Sequence, residues 1–186
     1  MELSCIVRIP VGSLARAEQI VEWMIRAICL PGHGGDGKCC FDIETKDTRP
    51  IGGRQYEVSA GLYCIFETTD RDLDAEREVE AVFGFRPEPG YYHIGSDHDH
   101  DDANRMLAEF AAYLTEQVGG VVEFGCLPQD VAGLTGQVHA LKEEFFDWTT
   151  WRVVLDATAL REWSRDPRCL MYPDAKRVAK AQSPPG

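Results

Sequence analysis

The spacing of apolar residues along the first half of the chain predicts a strand, a helix and a β-hairpin. The segment LSCIVRI (3–9) is rich in β-branched residues, which favour strands. Apolar residues then recur at helical spacing over 14–28, and Ser13 is placed to cap that helix. Segments 39–45 and 55–68 predict two strands, because the intervening TRPIGGR is turn material.

The second half of the chain predicts three helices and five more strands. Segment 70–83 predicts a short acidic helix, with Asp70 as its cap and Leu73 on its buried face. Residues 97–118 predict the longest helix, because one stripe of apolar side chains continues until a Gly-Gly pair ends it. A shorter helix is expected after Asp156, a good N-cap residue. The remaining strands are predicted at 91–95, 121–125, 136–141, 151–156 and 169–172.

This order of elements predicts the fold class. Strands and helices do not alternate strictly, and several strands are joined by short turns. We therefore expect an α+β fold, in which three to four helices pack on one face of a mainly antiparallel sheet. A chain of 186 residues suits one domain, which we expect to span 1–172 and to be followed by a flexible tail over 173–186.

The charge of the chain narrows the expected partners. The formal net charge is −12, which argues against binding to nucleic acid or to anionic membranes, since both need a basic surface. An acidic protein is instead suited to a basic partner protein. The chain begins without the pattern of a signal peptide, and its seven cysteines are scattered, so we expect a cytoplasmic protein with reduced thiols.

The negative charge is concentrated in one part of the sequence. Between Glu67 and Asp102 there are twelve acidic and three basic residues, a net charge of −9. A field of one sign costs self-repulsion, so its concentration suggests a charged partner. We interpret this stretch as one acidic face.

The densest part of this stretch is DHDHDD (97–102), which has two interpretations. His98 and His100, with Asp102, are possible metal ligands, and a metal-dependent hydrolase using them is the alternative function. Helix capping explains the same residues without an ion, because acidic side chains stabilise the N-terminus of a helix. We favour capping and an acidic surface; the candidate caps are Ser96, Asp97, Asp99, Asp101 and Asp102.

A second candidate contact segment is EEFFDWTTW (143–151). Acidic residues alternate there with aromatic ones, as they do around the anchor residues of protein interfaces. The alternative is that the aromatic side chains belong to the core. The candidate partner-binding residues of the two segments are Asp97, Asp99, Asp101, Asp102, Glu143, Glu144, Asp147 and Trp148.

The sequence contains no recognisable catalytic motif, and we expect neither an enzyme nor a cofactor. No serine or cysteine lies in an activating pattern such as G-x-S-x-G. GHGGDGKC (32–39) partly matches a phosphate-binding loop. However, it follows a predicted helix and precedes a predicted strand, the reverse of the order that such a loop requires.

Three segments together resemble an uncharacterised family of small bacterial proteins that is common in actinomycetes. They are LTEQVGGVVEFG (114–125), LTGQVHAL (134–141) and DATALREWSRDPRCLMY (156–172). RPIGGRQYEVSAGL (49–62) also looks like the first hairpin of that family. Members of such families often resemble immunity proteins encoded beside polymorphic toxins. The resemblance implies a non-catalytic protein that occludes a cognate toxin, expected to be basic, such as a nuclease; an adaptor module without a toxin partner is the other alternative.

Overall fold

The computed structural model describes residues 3–31, 40–68, 73–144 and 149–172. Asp70, residues 32–39 of the glycine-rich segment, Asp147, Trp148 and the predicted tail lie outside these ranges. The strands are β1 (Leu3–Arg8), β2 (Cys40–Asp47), β3 (Gln55–Glu67), β4 (Tyr91–Ser96), β5 (Val121–Gly125), β6 (Val138–Glu144) and β7 (Thr149–Asp156). The helices are α1 (Leu14–Ile28), α2 (Leu73–Phe83), α3 (Asp101–Val118) and α4 (Ala157–Trp163), with a 3-10 turn at Arg49–Ile51.

The strands form one seven-stranded sheet in the order β2-β3-β4-β1-β5-β7-β6, and every pair is antiparallel. Hairpins join β2 to β3 and β6 to β7. β1 lies at the centre, between β4 and β5, and α1 follows it in the chain before β2 at the edge of the sheet. At the centre of the sheet, Leu3 pairs with Ser96 of β4, and Ile6 pairs with Glu123 of β5. The predicted β2–β3 hairpin is confirmed.

Three helices cover one face of the sheet, and the predicted α+β class is confirmed. Alternate residues of the strands, such as Val7, Ile94 and Leu155, pack there with α1, α3 and α4 in the main core. The fourth helix, α2, packs on the opposite face. Its Ala75 and Val79 contact a smaller apolar cluster that includes Val121, Leu141 and Val154.

Several element ends differ from the sequence predictions. The longest helix begins at Asp101 instead of residue 97, because the preceding residues form a loop that leaves β4. The predicted strand 169–172 is reduced to one isolated bridge between Tyr172 and Gly125. Leu73 is 51% exposed, because α2 turns Ala75 and Val79 toward the sheet. Ser13 precedes α1 but its side chain makes no capping hydrogen bond, whereas Asp156 caps α4 as predicted.

Two buried carboxylates tie distant elements together. Glu123 accepts hydrogen bonds from the guanidinium groups of Arg8 (2.9 Å) and Arg152, and both Arg8 and Glu123 are almost fully buried on the α2 side of the sheet. Glu109, on α3, accepts from the Thr48 hydroxyl and lies 3.5 Å from Arg54 Nε, which holds the β2–β3 turn against the helix. A buried charge needs such partners to offset its desolvation.

Candidate functional site

The two predicted contact segments lie at the same end of the sheet. β4 ends at Ser96, which pairs with Leu3 at the start of β1. β6 ends at Glu144, which pairs with Thr149 at the start of β7. Because β1, β5 and β7 separate β4 from β6, the two segments are about 19 Å apart across the sheet. The structure thus places the described residues of both segments at one end of the sheet, and these residues do not meet.

The loop after β4 and the first turn of α3 form what we call the acidic edge: Asp97, Asp99, Asp101 and Asp102. The first three of these aspartates are exposed. Asp102 lies 3.5 Å from Arg105, one turn further along α3. The pKa of Tyr172 is raised by burial and also by the negative charges of Asp99 and Asp101. The acidic edge is therefore a dense negative surface on the end of the sheet.

A histidine caps α3. His100 has an extended backbone, and its Nδ1 accepts a hydrogen bond from the backbone N–H of Ala103 at 3.0 Å. An accepting Nδ1 carries no proton, so in the neutral ring the proton is on Nε2. That Nε2 is buried and has no hydrogen-bond partner in the structure. The five cap candidates predicted from the sequence were wrong, because a ring nitrogen takes the place of the side-chain oxygen that usually caps a helix.

The other histidine of the run, His98, turns toward the sheet. The His98 imidazole lies above Gly61, close to Glu44 of β2, and its ring is nearly perpendicular to that of His100 at a centroid distance of 5.7 Å. The backbone N–H of His98 donates to the Ser96 hydroxyl. Within the described residues no group of three or more His, Cys, Asp or Glu is arranged to hold a metal ion.

The structure describes only part of the second contact segment, 143–151. Glu143 and Glu144 are the last two residues of β6, where they pair with Thr150 and Thr149. The orientation of their side chains, and the whole of Asp147 and Trp148, lie outside the described residues. These four residues therefore remain predicted contacts.

The acid-rich stretch does not form one continuous surface. The acids of α2 lie on the half of the sheet formed by β5, β7 and β6, where Glu78 is 3.1 Å from His139. The last part of the stretch is the acidic edge. Between them β4 crosses the length of the sheet, about 20 Å for six residues. The prediction of a single acidic face is thus wrong, because a strand separates its two halves.

Sequence reasoning missed a polar and aromatic surface on the other half of the sheet. We call it the open face. It is the surface of β1, β2, β3 and β4 on the side of the sheet opposite α1, α3 and α4, next to the strands that α2 covers. Directly paired positions there are Tyr63 with Gly95, Ile65 with His93, and Glu67 with Tyr91. The available signal was the period-2 alternation of polar and apolar residues in 91–95.

A family model matches residues 12–172, most of the chain. The chain belongs to DUF6368, a family of unknown function. Comparisons with curated proteins and with solved structures give no match. The DUF6368 match includes the acidic edge, the part of the open face that β2, β3 and β4 form, and the four described helices; among the described elements only β1 precedes it. In the part of this DUF6368 chain that the structure describes, no helix is long and apolar enough to cross a membrane.

Proposed function

We propose that this DUF6368 chain is a bacterial immunity protein, acting in the cytoplasm, that binds a cognate basic toxin such as a nuclease and blocks its active-site cleft. The observation that carries the proposal is the acidic edge: Asp97, Asp99 and Asp101 are exposed within five consecutive residues. Such a concentration of like charge opposes folding through self-repulsion, so a partner of opposite charge gives it a use.

The position of the acidic edge suits occlusion. It projects from the end of a sheet that is backed by three helices, so a partner meets it on a rigid support. The capped first turn of α3 holds Asp101 and Asp102 in place, and a pre-ordered surface loses little conformational entropy when it binds. Carboxylates held in this way imitate the phosphates that a nuclease cleft is built to receive.

The charge of the acidic edge should also determine how fast the chain and the toxin associate. An acidic surface attracts a basic toxin from a distance and orients it, so association is fast and weakens as salt rises. Short-range contacts, including those expected of Glu143, Glu144, Asp147 and Trp148, would then slow release of the toxin. Rapid capture is what a cell needs when a toxin reaches its cytoplasm.

The proposal is tested by the growth of cells that express the product of the gene next to the one that encodes this chain. We expect that product to arrest growth and the wild-type chain to restore it. Asp97→Asn, Asp99→Asn and Asp101→Asn together should abolish the protection. The matched control neutralises three exposed acids of α2, Asp74→Asn, Glu78→Gln and Glu80→Gln, and should protect fully. A harmless adjacent product, or equal protection by both triple variants, overturns the proposal.

A further inference from the structure

The open face carries carboxylates and aromatic rings in one continuous stripe. At one end the Glu67 carboxylate accepts from the Tyr91 hydroxyl (3.0 Å) and lies 3.2 Å from His93 Nδ1. The Tyr63 and His93 rings pack in a T-shaped arrangement at a centroid distance of 5.6 Å. The stripe reaches its other end at Gly61, above which His98 lies.

Two glycines let these rings lie close to the sheet. The Tyr63 ring passes over Gly95, and it occupies the space that a Cβ at this position would need. Gly61 has only ordinary contacts around the position of a Cβ, the nearest being His98 Nε2 at 3.7 Å and Glu44 Oε2 at 3.8 Å. Glycine is therefore required at position 95 and simply permitted at position 61. The result is a low surface on which another chain can lie.

The groups on this stripe remain partly accessible. The side chains of His93 and Glu67 keep 29% and 31% of their surface exposed. A carboxylate has about four acceptor positions, and Tyr91 and His93 occupy two of those of Glu67. Glu44, which accepts from the Ser59 hydroxyl, adds a second half-buried carboxylate near Gly61.

One arginine of the chain itself already stacks on a ring of this surface. The Arg8 guanidinium lies over the Tyr91 ring at 5.8 Å from its centroid, while its Nε is paired with Glu123. Arginine, more than lysine, combines stacking on a ring with paired hydrogen bonds to a carboxylate. Rings with carboxylates beside them thus complement arginine side chains in particular.

We propose that the open face receives an arginine-bearing basic segment of the partner protein, whose guanidinium groups stack on Tyr63 and His93 and pair with Glu67 and Glu44. The stripe is about 20 Å long from Glu67 to Gly61, which accommodates roughly six residues of extended chain. It meets the acidic edge at His98, so one basic partner would contact both surfaces. This inference rests on the proposed function, and it names the chemistry of the partner.

The test compares fluorescently labelled nona-arginine and nona-lysine peptides by anisotropy. We expect the full chain to bind the arginine peptide about fivefold more tightly. The paired substitutions Tyr63→Leu and His93→Leu should reduce that ratio to about one, whereas Tyr63→Phe, which keeps the ring, should preserve it. Trp23→Leu is the matched control: Trp23 is 46% exposed but lies on α1, so its loss should leave the ratio unchanged.

Equal affinity for the two peptides, or an arginine preference that survives the double substitution, overturns the inference. A preference that appears only after residues 173–186 are deleted also overturns it, because the occupant would then be the basic C-terminal segment of the chain itself. Substituting Asp97→Asn and Asp101→Asn should lower the affinity for both peptides by the same factor, so that the ratio of the two affinities does not change. The proposed function fails separately, through the growth assay, so the two failures are distinguishable.

Discussion

The Nδ1 atom of His100 accepts a hydrogen bond from the backbone N–H of Ala103 at 3.0 Å, and this contact caps the N-terminus of α3. The run DHDHDD therefore contains two kinds of residue. His100 serves the helix, and the neighbouring aspartates provide exposed charge. This division explains how a strongly acidic surface is held in an ordered conformation at the end of the sheet.

Loss of this cap should destabilise the protein measurably. His100→Ala is expected to lower the free energy of unfolding by about 1 kcal/mol, while His100→Asn, which supplies another capping acceptor, should cost little. Ser13→Ala is the control, because Ser13 occupies the same position before α1 without a capping hydrogen bond. Urea unfolding measures all three variants. Equal costs for His100→Ala and Ser13→Ala would contradict the assignment of the cap.

The buried pair of Arg8 and Glu123 should be costly to break on one side. Glu123→Ala leaves the Arg8 charge buried and uncompensated, so we expect a loss of about 3–5 kcal/mol in the free energy of unfolding. Replacing all three members of the group, Arg8→Met, Glu123→Leu and Arg152→Met, should recover most of that loss, because no buried charge then loses its partner. Glu22→Ala removes an exposed pair with Arg26 and should cost less than about 0.5 kcal/mol. A single Glu123→Ala variant as stable as the wild type would refute this interpretation.

Two glycines of the β2–β3 hairpin should respond differently to substitution by alanine. A Cβ at Gly53 would overlap the Glu109 carboxylate and the Thr48 hydroxyl, so Gly53→Ala should destabilise the protein by about 1–3 kcal/mol. At Gly61 the same Cβ has only ordinary contacts, so Gly61→Ala should change stability by less than about 0.5 kcal/mol. Thermal unfolding of the two variants decides between this ranking and the reverse.

The buried thiols should be inert in the folded protein. Burial raises the pKa of Cys126 to about 12 and raises the pKa values of Cys5 and Cys169 as well. The thiolate is the reactive form, so these groups should not react with a thiol reagent at pH 8. In a variant with Cys39→Ser and Cys40→Ser, we expect Cys29 to react first and the other four only after denaturation. Rapid modification of more than one thiol in the folded variant would contradict this.

The sequence predicted most elements of the fold because their signals are local. Apolar spacing located α1, and the turn segment before Gln55 located the β2–β3 hairpin. Asp156 was recognised as a cap because its carboxylate acts within a few residues of itself, accepting from the Ala159 N–H at 2.8 Å. Such contacts depend on short spacing, which a sequence displays directly.

The remaining features depend on pairings between distant residues. Only the registry of β3 with β4 brings Glu67 beside His93, and neither residue suggests the other in the sequence. The acid-rich stretch was divided for the same reason: α2 and the acidic edge are close in sequence, but β4 separates them in space. Both contact segments were located at the same sheet end only by the strand order.

The most direct test of the central claim is the dissociation constant for the chain and the product of the adjacent gene, measured by calorimetry at low and high salt. The wild type should bind, more weakly at high salt because the charges are screened. Asp97→Asn, Asp99→Asn and Asp101→Asn together should weaken binding about a hundredfold, at roughly 1 kcal/mol for each charge. The control triple at Asp74, Glu78 and Glu80 should bind like the wild type. No binding, or the same constant for all three proteins, would contradict the claim that the acidic edge engages a basic partner.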